Sequence, residues 1–358
     1  MKKAVIITPA LFTGGAETMA VRLATNINPE KYAISVICLE EQRGTTLEKI
    51  LQENNIPVFY LGKTRGVSIK VIFKTYNLLS KISPDIIHSH ISGTVYSFFW
   101  ILLHKCKLIH TIHTRPDMEF SSKFRKVLKL FVKLKNIILV AVSKENQRIA
   151  TDYYNIGEDK CYFVNNPVEV SKYYKNENNT GLLTFINVSR QDDNKNQILA
   201  LRAFAKLYNE LNYVRLVLVG DGNQHTVLVN EAQKLGLQDV VSFPGEVSNA
   251  EDYLANADVY LSTSHREGLP LSMLEAMAAG LPIISSNVGG CSDIVVDNGI
   301  LFEDDNEEQL LKAMKTLATD ENLRKKYSQN GYCIVNEYDA LKCAENYEKL
   351  YSLFGKGM

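Results

Sequence analysis

Short apolar runs alternate along this chain with longer stretches in which apolar residues recur at helical spacing. Runs at 4–8, 32–39, 58–61, 85–88, 108–113 and 137–142 are rich in β-favouring residues and read as strands buried on both faces. The stretches between them read as helices, so the alternation predicts a doubly wound parallel sheet of the α/β class. The same rhythm returns at 182–188, 214–219, 240–245, 257–261 and 299–302. Between the halves S-K-Y-Y-K-N-E-N-N-T-G, residues 171–181, is polar and without period, which predicts a linker. At 358 residues the chain exceeds one ordinary core. The expected organisation is a first domain at 1–168 and a second at 180–342, with a last helix at 343–358 packing back on the first.

Residues 262–290, S-T-S-H-R-E-G-L-P-L-S-M-L-E-A-M-A-A-G-L-P-I-I-S-S-N-V-G-G, carry the densest chemistry. They read as a strand end, a polar turn, a short helix and a second strand. Pro270 suits a first helical position, so the helix is expected to begin near Leu269 and to stop at Gly280 and Pro282. The unpaired N–H groups and positive dipole end of its first turn suit an anion such as phosphate. Glu267 and Glu275 flank that turn with seven residues between them. Carboxylates would repel phosphate, so they are better suited to accept hydrogen bonds from sugar hydroxyls on either side of it. The plain alternative is a buried βαβ unit with two surface glutamates.

A second cationic candidate follows the 182–188 run, in S-R-Q-D-D-N-K-N. Arg190 offers a planar fork and Lys195 a compact point charge, the two ways a side chain neutralises a diphosphate whose charge grows as a bond to it breaks. Near the start, Thr13-Gly14-Gly15-Ala16-Glu17 opens a helix after a strand, but it is not G-x-G-x-x-G. Gly220-x-Gly222 also lacks a third glycine, which weakens a dinucleotide reading. His88, His90, His110 and His113 have no carboxylate or thiolate partner at a recognised metal-site spacing. Because ligands of open α/β sheets bind beyond the carboxyl ends of strands, His88, His90 and His113 read as cleft residues. No two aspartates are separated by a single residue, so a metal-binding D-x-D is absent and no metal is expected.

Charge is balanced at 40 basic and 40 acidic residues, which argues against a general nucleic-acid binder but not against a local basic patch. Such a patch is present. From Phe120 to Asn136 there are six basic and no acidic residues, with Phe124, Val127, Leu128, Phe131 and Leu134 on one helical face and Arg125, Lys126, Lys129 and Lys133 opposite. This helix could lie on an anionic membrane surface or pack on the sheet with a solvated basic face. The run at 95–103 is too short to span a bilayer and reads as a buried helix, and Met1-Lys2-Lys3 precedes too short an apolar run for a signal peptide. Six scattered cysteines without a C-x-x-C pair fit a reduced, cytoplasmic protein.

Taken together, E-G-L-P-L-S-M-L-E-A-M-A-A-G-L-P-I-I resembles the E-x7-E signature of the retaining nucleotide-sugar glycosyltransferases of family 4, glycosyl transferases group 1. The resemblance extends to T-I-H-T-R-P-D, I-I-H-S-H, N-P-V, V-G-D-G and V-V-S-F-P-G, and so runs through nearly the whole chain. It implies a GT-B fold, two Rossmann-like domains facing a central cleft. It further implies that Arg190 and Lys195 hold the donor diphosphate with backbone groups at Gly14, Gly15, Leu271 and Ser272. Gly268 and Leu269 belong to the same donor turn, Glu275 grips the ribose, Glu267 and His113 meet the transferred sugar, and Gly245 lies beside the base.

The implied activity is transfer of a sugar, with retention, from a nucleotide-diphosphate donor, UDP-linked by expectation, to a hydroxyl of a glycan or lipid-linked glycan. That acceptor class fits surface polysaccharide biosynthesis on the cytoplasmic side of a membrane. An epimerase of the same fold and a non-catalytic partner subunit are the alternatives. Donor incubated alone separates the first, since an epimerase interconverts sugars without an acceptor. Intact donor motifs argue against the second.

Overall fold

The computed structural model describes residues 1–12, 14–64, 66–104, 106–114, 116–119, 122–134, 137–176 and 181–353. It divides into two compact units, Met1–Pro167 with Ala340–Met358, and Val168–Asp339.

The first unit is built on seven parallel strands: β1 (Lys2–Thr8), β2 (Tyr32–Cys38), β3 (Val58–Tyr60), β4 (Ile86–His90), β5 (Lys107–Ile112), β6 (Ile137–Ala141) and β7 (Cys161–Phe163). They lie in the order β3-β2-β1-β4-β5-β6-β7, so the chain reverses direction across the sheet between β1 and β4. Strand alternation sends Ile6 to one face and Val5 and Ile7 to the other. On the Ile6 face lie α1 (Gly15–Asn26) and α2 (Thr46–Glu53), which bury Ala20, Val21, Leu47 and Leu51. On the opposite face lie α3 (Ile69–Ile82), α4 (Gly93–Leu103), α6 (Ser122–Leu134) and α7 (Lys144–Tyr154). The short α5 (Pro116–Glu119) precedes α6.

Two expectations about these helices meet the structure here. In α6 Leu128 and Val132 are buried, and Phe124 and Phe131 pack against the same core, so this apolar face is spent on the sheet. Phe120, Lys135 and Asn136 lie outside the described residues, as do the side chains of Val127, Lys133 and Leu134. In α4 only one side is buried. Tyr96, Trp100 and Ile101 are buried, while Phe99 and Leu103 are exposed, so the expected buried helix is buried on one side and open on the other.

The second unit has six parallel strands: β8 (Leu183–Val188), β9 (Val214–Val219), β10 (Val241–Gly245), β11 (Val259–Ser262), β12 (Ile283–Ser286) and β13 (Gly299–Phe302). Their order is β10-β9-β8-β11-β12-β13, with the reversal between β8 and β11. The covering helices are α8 (Gln197–Glu210), α9 (His225–Lys234), α10 (Ala250–Ala255), α11 (Leu271–Ala278), α12 (Cys291–Ile294), α13 (Glu307–Thr319) and α14 (Glu321–Val335). Phe185, Phe204, Leu207, Leu216, Leu261, Met314 and Leu317 form the centre of its core.

The division falls at Pro167, ahead of the 171–181 stretch expected as a linker. Much of that stretch is held by the second unit. Tyr174 donates to Asp252 at 2.8 Å, and the Asn176 N–H donates to the Ala255 carbonyl at 2.9 Å. Residues 177–180 are outside the described residues. The last helix, α15 (Ala340–Leu353), belongs to the first unit and packs beside α1.

Candidate functional site

The chain reversal between β8 and β11 leaves a crevice beyond their carboxyl ends, the place where open α/β sheets bind ligands. Both loops singled out in the sequence emerge there. The loop 189–196 follows β8 and the loop 263–270 follows β11, and they are tied together strand-fashion without being strands. The His265 N–H donates to the Asn194 carbonyl at 2.8 Å, and the Thr263 hydroxyl donates to the Lys195 carbonyl at 2.8 Å. Asn194 also exchanges side-chain bonds with Arg266, donating to its carbonyl at 3.0 Å and accepting from its Nε at 3.2 Å. Thr263 and Asn194 were not foreseen from the sequence, because neither carries a charge that would mark it.

This stitching brings Lys195 Nζ to 2.7 Å from Glu267 Oε1, with the side chains 18% and 11% exposed. Partial burial makes the pair stronger than one on the open surface. Glu267 and Glu275 both act electrostatically on the same buried phenol, Tyr260. Burial pushes the Tyr260 pKa well up, the hydrogen bond with Ser272 Oγ at 2.8 Å opposes this, and both carboxylates push it further. The nearby Cys291 thiol is pushed up to about 12, first by burial and then by Glu267, with Lys195 acting the other way.

The helix α11 begins at Leu271, not near Leu269, because Pro270 holds ψ at 115° and is therefore the cap residue and not the first helical one. No side chain caps it, and its first turn opens toward Gly268. Leu269 is buried beneath this turn, and the Gly268 carbonyl accepts from Gly290 N–H at 3.0 Å. Two glycines make the packing possible. A Cβ at Gly289, where φ is +52°, would lie 1.8 Å from the Glu267 carbonyl oxygen. A Cβ at Gly220, where φ is +123°, would lie 2.0 Å from the Ser189 carbonyl oxygen. Gly220 also donates its N–H to the Gly245 carbonyl at 2.8 Å, joining the ends of β9 and β10.

Arg190 is not drawn into this cluster. Its guanidinium sits 3.1 Å from Asp192 in its own loop and is 73% exposed. Among the described residues no group of three His, Cys, Asp or Glu side chains is disposed to hold a metal ion.

In the first unit the histidine expectation divides. His88 and His90 are inside β4, since Ser89 and His90 continue the ladder against His110 and Thr111, and both are fully buried. His88 is therefore a core residue, bonded to Tyr351 OH and Thr111 Oγ1 at 2.7 Å each. His113 follows the end of β5, partly buried, with Nε2 2.9 Å from His90 Nδ1. Burial lowers the pKa of all three, that of His113 to about 3. Gly14 caps α1 in extended conformation, and the buried Glu17 carboxylate fills the space a Gly14 side chain would take. Thr13 is outside the described residues.

Comparison with known proteins agrees in both halves. The model of "Glycosyltransferase Family 4" matches residues 13–172, and that of "Glycosyl transferases group 1" matches residues 172–333. An uncharacterized glycosyltransferase of Methanocaldococcus jannaschii is 24% identical over 78% of this chain and 83% of its own. The UDP-Gal:alpha-D-GlcNAc-diphosphoundecaprenol alpha-1,3-galactosyltransferase of Escherichia coli is 26% identical over 90% of this chain and 89% of its own. Among solved structures, the Anabaena protein HepE in complex with UDP-glucose superposes with a TM-score of 0.85 at 18% identity, covering 99% of this chain and 100% of that one.

Proposed function

Because this chain belongs to the family 4, group 1 glycosyltransferases and has the GT-B fold, we propose that it transfers a sugar from a nucleotide-diphosphate donor to an acceptor hydroxyl with retention. The observation that carries the reading is the meeting of Lys195 and Glu267 at the chain reversal of the second sheet, beside the uncapped start of α11. Lys195 is the cation for the diphosphate, and the Leu271 and Ser272 N–H groups add fixed dipoles that need no reorganisation as charge develops. Glu267 releases Lys195 in part and accepts from hydroxyls of the transferred sugar. Glu275, in the same helix, accepts from the ribose. Arg190 turns from Asp192 to the diphosphate when the donor is bound. The Gly245 turn, at the end of β10, lies beside the base.

No metal is required in this reading, since the protein's own cation and amides meet the developing charge. Catalysis is positioning and leaving-group stabilisation, with a donor phosphate oxygen taking the acceptor's proton. The E. coli relative acts on a diphosphoundecaprenol-linked sugar and the Anabaena neighbour was solved with UDP-glucose, which together support a UDP-linked donor and a lipid-linked glycan acceptor. The test is thermal shift with UDP-, GDP- and ADP-sugars, followed by transfer assays with the stabilising donor. Stabilisation by none of them refutes the reading, and interconversion of donor sugars without acceptor assigns an epimerase instead.

A further inference from the structure

β4 and β5 run side by side with His90 opposite Thr111. Side chains along a strand repeat every two residues, so His88 and His90 share one face, and Thr111 and His113 follow the same alternation. The four meet in pairs. His88 Nε2 is 2.7 Å from Thr111 Oγ1, and His90 Nδ1 is 2.9 Å from His113 Nε2. His90 also stacks on His88 with ring centroids 4.5 Å apart, and the other nitrogen of His88 is held by Tyr351 OH at 2.7 Å. The His90 ring is thus kept in place by a neighbour that is pinned at both nitrogens.

The contact between His90 and His113 has a direction. Burial lowers the pKa of both rings, so at neutral pH each is uncharged and carries one proton. One of the two facing nitrogens must donate and the other accept. If His113 Nε2–H donates, the His90 proton sits on Nε2. That atom is fully buried and has no hydrogen-bond partner among the described residues, so it would be a donor with nothing to receive it. If His90 Nδ1–H donates, the atom left over on His90 is a bare lone pair, which an interior tolerates better than an orphaned N–H. The second arrangement therefore prevails. It forces the His113 proton onto Nδ1, which makes no hydrogen bond among the described residues, and His113 is only partly buried.

We propose that His90 is a positioning residue that holds His113 in the tautomer with Nδ1–H free, so that His113 donates a hydrogen bond to an oxygen of the transferred sugar. The proposal rests on the reading of His113 as a group that meets that sugar. His90 itself stays in the core and touches no substrate; it acts only by deciding which His113 nitrogen carries the proton and how the ring is turned. A free histidine would divide its proton between the two nitrogens and spend part of its time presenting an acceptor. The tautomer itself is a property of the first unit and can be measured without any transfer reaction.

The experiment begins with nitrogen NMR of the full chain carrying isotope-labelled histidine rings, without donor, the His113 signals being assigned with His113→Ala. A protonated Nδ1 and a bare Nε2 on His113 are expected, and a proton on Nε2 overturns the proposal. In transfer assays with the donor found by thermal shift, His90→Leu, which cannot donate, should lower kcat/KM by about tenfold or more. His90→Asn, whose amide N–H stands where Nδ1–H stood, should restore most of that loss. On a His113→Ala background His90→Leu should cost no more than about twofold, because the residue it acts through is gone. An equal loss on both backgrounds assigns His90 a merely structural role and overturns the proposal, as does wild-type turnover by His90→Leu. Where the leucine variant does not fold by circular dichroism, the wild-type spectrum decides alone. Transfer with the opposite tautomer sinks this proposal only, and the expected tautomer in a chain that binds no nucleotide sugar sinks the enzymatic reading and the sugar as the partner of His113.

Discussion

Lys195 and Glu267 are 72 residues apart in sequence and 2.7 Å apart in space. Each follows a different strand, and the two strands are neighbours only because the chain reverses between them. Lys195→Ala or Glu267→Ala is expected to lower kcat/KM by about a hundredfold or more, the scale of losing one charge-stabilising contact. Because the two act as a unit, the double variant should lose far less than the product of the single losses. Steady-state kinetics with circular dichroism as the folding control decide both points.

Gly289→Ala should be as damaging as removing the Glu267 side chain, although residue 289 offers no functional group. Its Cβ would strike the Glu267 carbonyl oxygen and displace the backbone that aims the carboxylate. Gly62→Ala is the control: φ there is also positive, at +71°, but the space is open. The control should cost only about 1 kcal/mol in urea denaturation, the conformational penalty alone, and leave kcat/KM unchanged.

Leu128→Ala should destabilise the protein by about 2–5 kcal/mol, the cost of emptying a buried leucine site. A helix lying free on the surface would show almost none. The urea midpoint at constant m-value measures the difference.

Acid should destabilise the first unit before carboxylates titrate. His88, His90 and His113 are held below their ordinary value of 6.5 by burial, His113 at about 3. As pH falls through about 6.5 the unfolded chain gains protons that the folded chain refuses, so stability falls with pH by up to about 1.4 kcal/mol per pH unit for each histidine. The loss for His113 continues down to about 3. Urea midpoints between about pH 7.5 and about pH 5 should drop, and His113→Gln should flatten the drop.

Turnover should persist in EDTA and should not rise with magnesium or manganese. A strict requirement for either ion would show that Lys195 and the α11 amides do not carry the diphosphate charge.

The strand and helix alternation is legible in the sequence because both sheets are parallel and their strands are continuous apolar runs. The edge strand β7, Cys161–Phe163, lies outside the runs that read as strands. Glu267, Glu275, Lys195 and Arg190 stand out as charged residues at strand and helix ends, but their pairing does not. Local sequence cannot say that Lys195 meets Glu267 while Arg190 turns to Asp192, since that depends on how the loops are tied through Thr263, Asn194 and Gly289. The histidines mislead because β4 runs two residues beyond its apolar run, which carries His88 and His90 into the core.

The first sheet is closed from far along the chain. Tyr347 and Tyr351 of α15 lie over His88 and Thr111, and Glu348 accepts from the Asn28 N–H at 2.8 Å and from Lys31 at 2.9 Å. On the ribosome, therefore, the amino-terminal half waits with this surface uncovered until the entire second half has been translated. A nonsense codon just after Asp339 would leave the Lys195–Glu267 half structurally whole, yet deliver its companion to the cell's proteases.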